Sequence, residues 1–511
     1  MALLTSNELT SNGLTSNELT SKNPSKRRKY SLLPRTSRYQ YYHTTTLNAQ
    51  RPFLLNAPLP KVMWTLALPA IAAMLLYGLN AFMDTVFVGQ LMNEAALAGI
   101  ALAYPLVGLT MGLANLAGTG AANLLSIAIG EEDEETQASI LPNGNLIVLI
   151  TSLLFAVPSY FFAPEMVRLM GGEGEVLTYG VTYFRATLWA APLWTYGLSL
   201  NFIIRGEGRM NVAARMMAYG LGLNLVLTPV FIAYLDMGIA GAAWASNAGM
   251  LLYCIAEVRY FRSGRASFRS DVTSLAYHPA VFKRILQLGF PGFILGMMGL
   301  IQAMVVFNAI VGVSPDGERD LAFFAAANRI MLLLMTPLFG LMRALQPIAG
   351  VNFGAGQMER AKAAYWLFVR TGFYLVFPFW IFMNAFPELS LRLVLPGFVF
   401  TDQDIVFFHL YMFILPILPL VFNALTWLPA INRPKYASYV GIARQLVFFV
   451  PVMLILPRYF GLGGVYYGAT GIDIVVTVWL VLLVRRAMRN MGAEVVGEEN
   501  LSPGPSPKEE G

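Results

Sequence analysis

Cysteine, histidine and charge are all scarce in this chain, and each scarcity removes a class of chemistry. The one cysteine, Cys254, excludes an intramolecular disulfide and any thiolate cluster for a metal. The three histidines, His43, His278 and His409, lie far apart, each in or near a connection or tail. That spacing argues against a histidine metal centre or a catalytic dyad. No site residue is therefore catalytic and none is a metal ligand; the chain reads as a non-enzyme without a cofactor. Only 13% of the 511 residues are charged, whereas 56% are hydrophobic. Such a balance belongs to polytopic membrane proteins rather than soluble enzymes.

What is abundant is the long apolar run. Twelve candidate membrane spans can be read, at about 61–88, 95–128, 139–162, 176–204, 211–235, 238–261, 280–312, 321–349, 362–386, 403–430, 435–457 and 463–485. The expected fold is an all-α polytopic membrane protein with twelve transmembrane helices in two pseudo-symmetric six-helix bundles. Prolines recur inside the spans, among them Pro69, Pro192, Pro229, Pro416 and Pro451. In a bilayer such breaks survive where protein or cavity water satisfies the freed carbonyls. Bent helices around a cavity are expected.

Residues 1–60 read as a disordered tail. LTSNE, LTSNG, LTSNE and LTSK follow one another from Leu4, then comes the basic cluster Lys26, Arg27, Arg28 and Lys29. With no apolar core before residue 61 the tail is not a secretory signal, and Glu8 and Glu18 disfavour a transit peptide. Its basic cluster suits contact with anionic membrane lipids. The remaining divisions are a first bundle at 61–262, a cytoplasmic linker at 263–279, a second bundle at 280–490 and a disordered tail at 491–511. With the N-terminus inside, sixteen basic residues near the spans face the cytoplasm, including Arg205, Arg209, Arg215, Lys283, Arg360 and Arg433. The opposite connections hold four: Arg168, Arg319, Arg392 and Arg458. This asymmetry places both termini in the cytoplasm of a cell-membrane protein. It also accounts for the net charge of +6 without a nucleic-acid partner.

The first span carries one acid, Asp84, fifteen residues after Pro69, with Gly78 and Asn80 close by. A carboxylate inside a spanning helix is costly and normally faces a bundle interior or wet cavity. Asp84 is either a cation-binding carboxylate or an interfacial residue where the helix ends near Met83. The acidic GEEDEETQ from Gly130 reads as a solvated connection capping the third span.

The chain resembles itself at an offset of 222 to 224 residues. Pro69 answers to Pro291, Gly130 to Gly354, Asn201 to Asn423, Arg209 to Arg433 and Pro229 to Pro451. Six spans per copy is an even number, so both copies enter the membrane in the same sense. Two bundles related by an axis along the membrane normal follow, with a substrate site between them near the midplane.

LALPAI, MDTVFVG, RGEGRMN, GLNLVLTP, GIAGAAWAS, RALQPIAGVNFGAGQMERAK and INRPK, in that order over about residues 61–490, resemble the multidrug and toxic compound extrusion (MATE) transporters, in particular their DinF-like branch. The resemblance implies export of cationic or amphipathic organic compounds in exchange for protons or sodium ions. It maps the family's acid of the first span onto Asp84, its fifth-span asparagine onto Asn224 and its sixth-span threonine onto Ser246. Where DinF-like members carry an aspartate one turn after that asparagine, this chain has Thr228. A lone carboxylate favours proton over sodium coupling, with sodium left open because Asn224, Thr228 and Ser246 all carry oxygens. Asn224 and Ser246 read equally well as interhelical hydrogen-bonding groups.

Asp473, about ten residues into the last span, is either a second titrating site or the salt-bridge partner of an arginine such as Arg329 or Arg444. Near the seventh span's centre only Gln302 and Asn308 are polar. The cavity should be rich in methionine and aromatics, which adapt to varied hydrophobic cations. Met297, Met298, Met304, Met331, Met335 and Phe339 lie on the seventh and eighth spans, but most are expected to face lipid or pack, and none is named as a substrate contact. A monomer is expected. Two other readings stay open: a flippase for lipid-linked sugars or cell-wall precursors, which would want a cationic cavity, and a non-transporting receptor or scaffold. An acyltransferase would need a base beside Cys254, and the sequence offers none there.

Overall fold

The computed structural model describes residues 50–499. The five-residue repeats and the basic cluster of the N-terminal tail lie outside the described residues, as do residues 500–511. Every regular element among the described residues is a helix. The first bundle comprises α1 (Gln50–Asn56), α2 (Leu59–Leu91), α3 (Glu94–Glu131), α4 (Glu134–Phe161), α5 (Ala163–Leu169), α6 (Gly174–Leu188), α7 (Ala191–Gly206), α8 (Met210–Pro229) and α9 (Gly238–Arg262). The second comprises α10 (Pro279–Val313), α11 (Gly317–Gly354), α12 (Met358–Ala385), α13 (Pro387–Arg392), α14 (Asp402–Met412), α15 (Leu418–Ala430), α16 (Pro434–Ile442), α17 (Val450–Phe460) and α18 (Leu462–Glu499). Ten apolar stretches among the described residues are long enough to cross a bilayer in one helical piece.

The fourth and tenth spans, expected as continuous, are each built from two helices, α6 with α7 and α14 with α15. The cause is visible in the chain. A proline ring excludes the carbonyl four residues before it and offers no N–H. α6 ends at Leu188, four residues before Pro192, and α14 ends at Met412, four residues before Pro416. The two breaks are 224 residues apart, the repeat offset. The freed Met412 carbonyl accepts a hydrogen bond from the Trp380 indole at 3.0 Å. The fifth and eleventh helical passages also match: a π-helical turn at Val230–Tyr234 follows Pro229, and another at Ala443–Phe449 precedes Pro451.

The repeat axis can be located from residues that touch their own counterparts, since only groups on a two-fold axis can do so. Gly130 of α3 packs on the backbone of Gly354 in α11, and Ser126 packs on Gly350. The axis therefore passes between α3 and α11, at the end of the molecule where the second and eighth spans finish. A Cβ on Gly130 would meet the Val351 carbonyl, and one on Gly354 would meet that of Ile127. Ser126 Oγ donates to the Gly206 carbonyl at 2.6 Å and accepts from Gln346 Nε2 at 2.9 Å, closing the same seam.

Two boundaries differ from expectation. Residues 50–56, read as tail, form α1, because Leu54 and Leu55 find buried positions. Arg51 donates to the terminal carbonyls of Ile129 and Gly130 at 3.0 Å each and pairs with Glu132 at 2.7 Å, capping α3. From the second bundle, Asn352 and Arg360 each donate to the Leu54 carbonyl at 3.3 Å, so α1 bridges the halves. At the other end α18 runs through residue 491 to Glu499. The linker is no free tether either. Asn145 Nδ2 donates to the carbonyls of Val272 and Ser274 at 2.8 and 3.0 Å. Glu207, in the connection between α7 and α8, accepts from the Ser267 N–H at 2.6 Å and from the Tyr260 hydroxyl. Burial pushes its carboxyl above the usual range, against the pull of the Ser267 and Tyr260 donors. Asp133, expected in a capping connection, does cap α4, accepting from the Thr136 N–H at 2.9 Å.

Gly354→Leu should force the seam apart, because the obstruction is backbone rather than a movable side chain. In a Cys254→Ala background carrying Ser126→Cys, labelling of residue 126 by an impermeant maleimide should rise when Gly354→Leu is added. Unchanged labelling would mean the seam does not depend on this contact.

A candidate cation site in the first bundle

Asp84 lies inside α2, seven residues before its end at Leu91. The helix does not stop near Met83, so the interfacial reading of this acid is set aside. Asn80 lies one turn earlier on the same face. On α8, Asn224 and Thr228 are also one turn apart, and both are buried, at 4% and 0% exposure. Ser246 comes from α9. Close packing of small residues brings α8 and α9 together: a Cβ on Gly249 would meet the Gly220 carbonyl and the Asn224 Cβ.

The four residues singled out in sequence converge. Thr228 Oγ1 lies 3.3 Å from Asp84 Oδ1 and 2.9 Å from the Asn224 carbonyl, and can donate to either. The Asn224 side-chain amide reaches Thr228 Oγ1 at 3.2 Å and Ser246 Oγ at 3.0 Å. Asn80, noted in sequence only as a neighbour of the acid, donates to Asn224 Oδ1 at 2.5 Å. Rotating the Asn224 amide by half a turn gives a second arrangement, in which its nitrogen donates to Asp84 Oδ1 and its oxygen accepts from Thr228 and Ser246. The cluster offers one carboxylate and several neutral oxygens, a set that can take a proton or surround a small hard cation. Among the described residues no group of three or more His, Cys, Asp or Glu side chains gathers as a metal centre would.

Among the described residues the second bundle has no matching site. Asn308, near the position that the repeat assigns to Asp84, donates to the Met304 carbonyl of its own helix at 2.7 Å. Asp473 is in an ion pair: Arg444 Nη2 and Nε both reach its Oδ1, at 2.7 and 2.9 Å. Of the two readings of Asp473, the structure holds the pairing, and with Arg444 rather than Arg329. Met331 is buried in the core, and Phe339 packs edge-on against Phe422, in keeping with the packing roles expected of most of these side chains.

Arg205 was placed by sequence in a cytoplasmic connection; it is instead buried in the last turn of α7. Arg343 of α11, the first residue of the motif RALQPIAGVNFGAGQMERAK, was not singled out as a charge inside a span. The signal that could have found it is the rule that intramembrane charge faces protein or cavity.

A twelve-passage membrane protein of two repeated bundles, with a polar cluster built around an acid inside the first spanning helix, has the architecture of a secondary transporter. A family model described as MatE matches residues 69–230 and again residues 294–455, two stretches of equal length 225 residues apart. The chain belongs to this family, the MATE transporters. Multidrug export protein MepA of Staphylococcus aureus (strain MSSA476) is 22% identical over 424 residues, covering 81% of this chain and 90% of that protein. A solved MATE structure in the bent conformation superposes with a TM-score of 0.80 at 23% identity, covering 88% of this chain and 99% of the other. Another, an outward-facing multidrug resistance MATE transporter of the MOP superfamily, gives a TM-score of 0.77 with 86% and 98% covered.

Asp84→Asn and Asp473→Asn should separate cleanly. The second leaves Arg444 half-buried without its anion and should cost stability by about 1–3 kcal/mol. The first removes a carboxylate from an apolar site and should not lower the melting temperature. Thermal melts of both variants in one detergent decide it; equal losses would contradict the difference in roles.

Proposed function

We propose that this protein is an ion-coupled antiporter that exports cationic or amphipathic organic compounds. The observation that carries this reading is the convergence of Asp84, Asn224, Thr228 and Ser246 in one half-buried cluster of the first bundle. Kinship with proteins named for multidrug export supports the substrate class. Protons are the favoured coupling ion, because Thr228 stands where a second carboxylate would hold sodium. A lone acid that exchanges water for Thr228 and Asn224 as the bundles move would bind its proton differently in the two states, and that difference couples ion to substrate.

Transport would proceed by alternating access. The bundles meet along the α3–α11 seam at one end, which the basic connections mark as cytoplasmic. Proton arrival from outside would neutralise Asp84 and release substrate; return to the inward-open state would free the proton and admit the next substrate. Both termini are cytoplasmic in this reading, and the protein acts as a monomer in the cell membrane.

The test uses purified protein in liposomes, with ethidium efflux followed under an imposed pH gradient or a sodium gradient at constant pH. Wild type should respond to the pH gradient alone, and Asp84→Asn should lose at least tenfold in rate, the scale of a lost interaction with a charged group. Sodium-driven efflux would keep the site and overturn the ion. Absence of efflux under both gradients would favour the flippase. Thr228→Asp, which adds the missing carboxylate, should make wild-type-like efflux respond to sodium.

A further inference from the structure

The closed end of the molecule holds two cations that no carboxylate pairs. Arg205 of α7 is 7% exposed. Its Nη1 has no hydrogen-bond partner, and its Nη2 reaches only the Met217 sulfur, at 3.9 Å. Arg343 comes from the opposite bundle, one turn along α11 from Gln346, whose amide closes the seam onto Ser126. Among the described residues Arg343 makes no ion pair. Both guanidiniums lie 5.4 Å from the centre of the same ring, Phe202, so the two cations are no further apart than twice that distance.

The third charged group facing them is Glu257 of α9. It is fully buried, its Oε1 accepts from Asn201 at 3.0 Å, and its Oε2 is unpartnered. If ionised, it can offset one arginine and not both. The Tyr253 hydroxyl is likewise buried without a partner. Unpaired charge and unmade hydrogen bonds in a low-dielectric interior are costly. Proteins keep such groups where a ligand completes them.

We propose that Arg205 and Arg343, with Phe202 between them, form a subsite for one anionic oxygen group, a carboxylate or phosphate carried by an amphipathic molecule. The proposal rests on the transporter reading and narrows its substrate class: the cargo carries negative charge at one end. The planar guanidinium fork suits both oxygens of such a group, and the ring supplies apolar contact beside it. One arginine belongs to each bundle, so the subsite is whole only while the seam is shut. Asp84 is the acid of the first bundle, so an amphiphile with a cationic and an anionic end would meet opposite charges along a path between the two sites.

Binding can be measured by fluorescence on wild-type protein in phosphatidylcholine nanodiscs, using a xanthene dye with a free carboxylate and its ethyl ester. Wild type should prefer the free acid, and Arg343→Gln should weaken the acid roughly tenfold more than the ester. Arg343→Lys should recover part of the preference. On wild type alone, inorganic phosphate should displace the acid and spare the ester, a readout independent of whether any variant folds. Displacement of the acid by added phosphatidylglycerol assigns the subsite to a lipid headgroup; failure of that lipid, with phosphate effective, assigns it to a free amphiphile. Equal affinity of wild type for both dyes, binding of neither, or equal losses in Arg343→Gln would overturn the subsite. Ethidium, which has no anionic group, reports the transport reading separately through gradient-driven efflux by wild type.

Discussion

A carboxylate in the apolar middle of a bundle is the constraint around which the first half of this protein is arranged. Asp84 cannot be left alone there, and its partners have to come from other helices. α8 supplies two, Asn224 and Thr228, on one face. α9 supplies Ser246, and it reaches the cluster only because Gly220 and Gly249 let the two backbones approach. Pro229 then ends the regular helix one residue after Thr228, and the chain passes into a π-helical turn. Irregular helix beside a polar site is a recurring feature, since it frees backbone groups and re-aims side chains.

The repeat holds in architecture and departs in chemistry. Broken fourth and tenth spans, prolines at matching places and glycines that meet across the axis show that both halves are built by one backbone plan. The second half nevertheless uses its interior acid differently. Asp473 is tied to Arg444, and the position corresponding to Asp84 carries neutral residues. An ion pair inside a bundle is satisfied within it and has little to gain from a change in hydration. An unpaired acid held by neutral donors has much to gain. In the proposed antiport cycle this asymmetry would give the coupling role to the first bundle.

Much of this was legible in the chain. Span order and the two-bundle plan follow from apolar length and a constant offset, and Asp84 from its place in the first span; Asn224, Thr228 and Ser246 came only through the family resemblance. What escaped was set by tertiary packing. Pro192 and Pro416 announced a bend, but whether a span bends or breaks depends on what satisfies the freed carbonyl, here Trp380 for Met412. Residues 50–56 read as tail because their composition is ordinary; they are helical because Arg51, Asn352 and Arg360 give their backbone and its neighbours partners. Arg205 lay within a basic motif and was counted with solvent-facing charge. A few residues of error in a helix end were enough to move it from outside to inside. Arg343 opens the motif RALQPIAGVNFGAGQMERAK, but the motif does not say which way its side chain faces.

The buried arginines change how the seam should be understood. Glycine contacts and the Ser126 bridge favour the shut arrangement, while two guanidiniums around one phenyl ring oppose it. The opposition is strongest when the subsite is empty, because like charges in a water-poor interface repel without screening. An anionic group between them removes the repulsion and adds attraction, so it binds the shut state more tightly than the open one. A ligand can move a conformational equilibrium only by such a difference in affinity. The subsite would then be a lever as well as a contact: its occupancy adjusts the balance between the two bundle arrangements, and the acid in the first bundle acts on the same balance from the other end of the path.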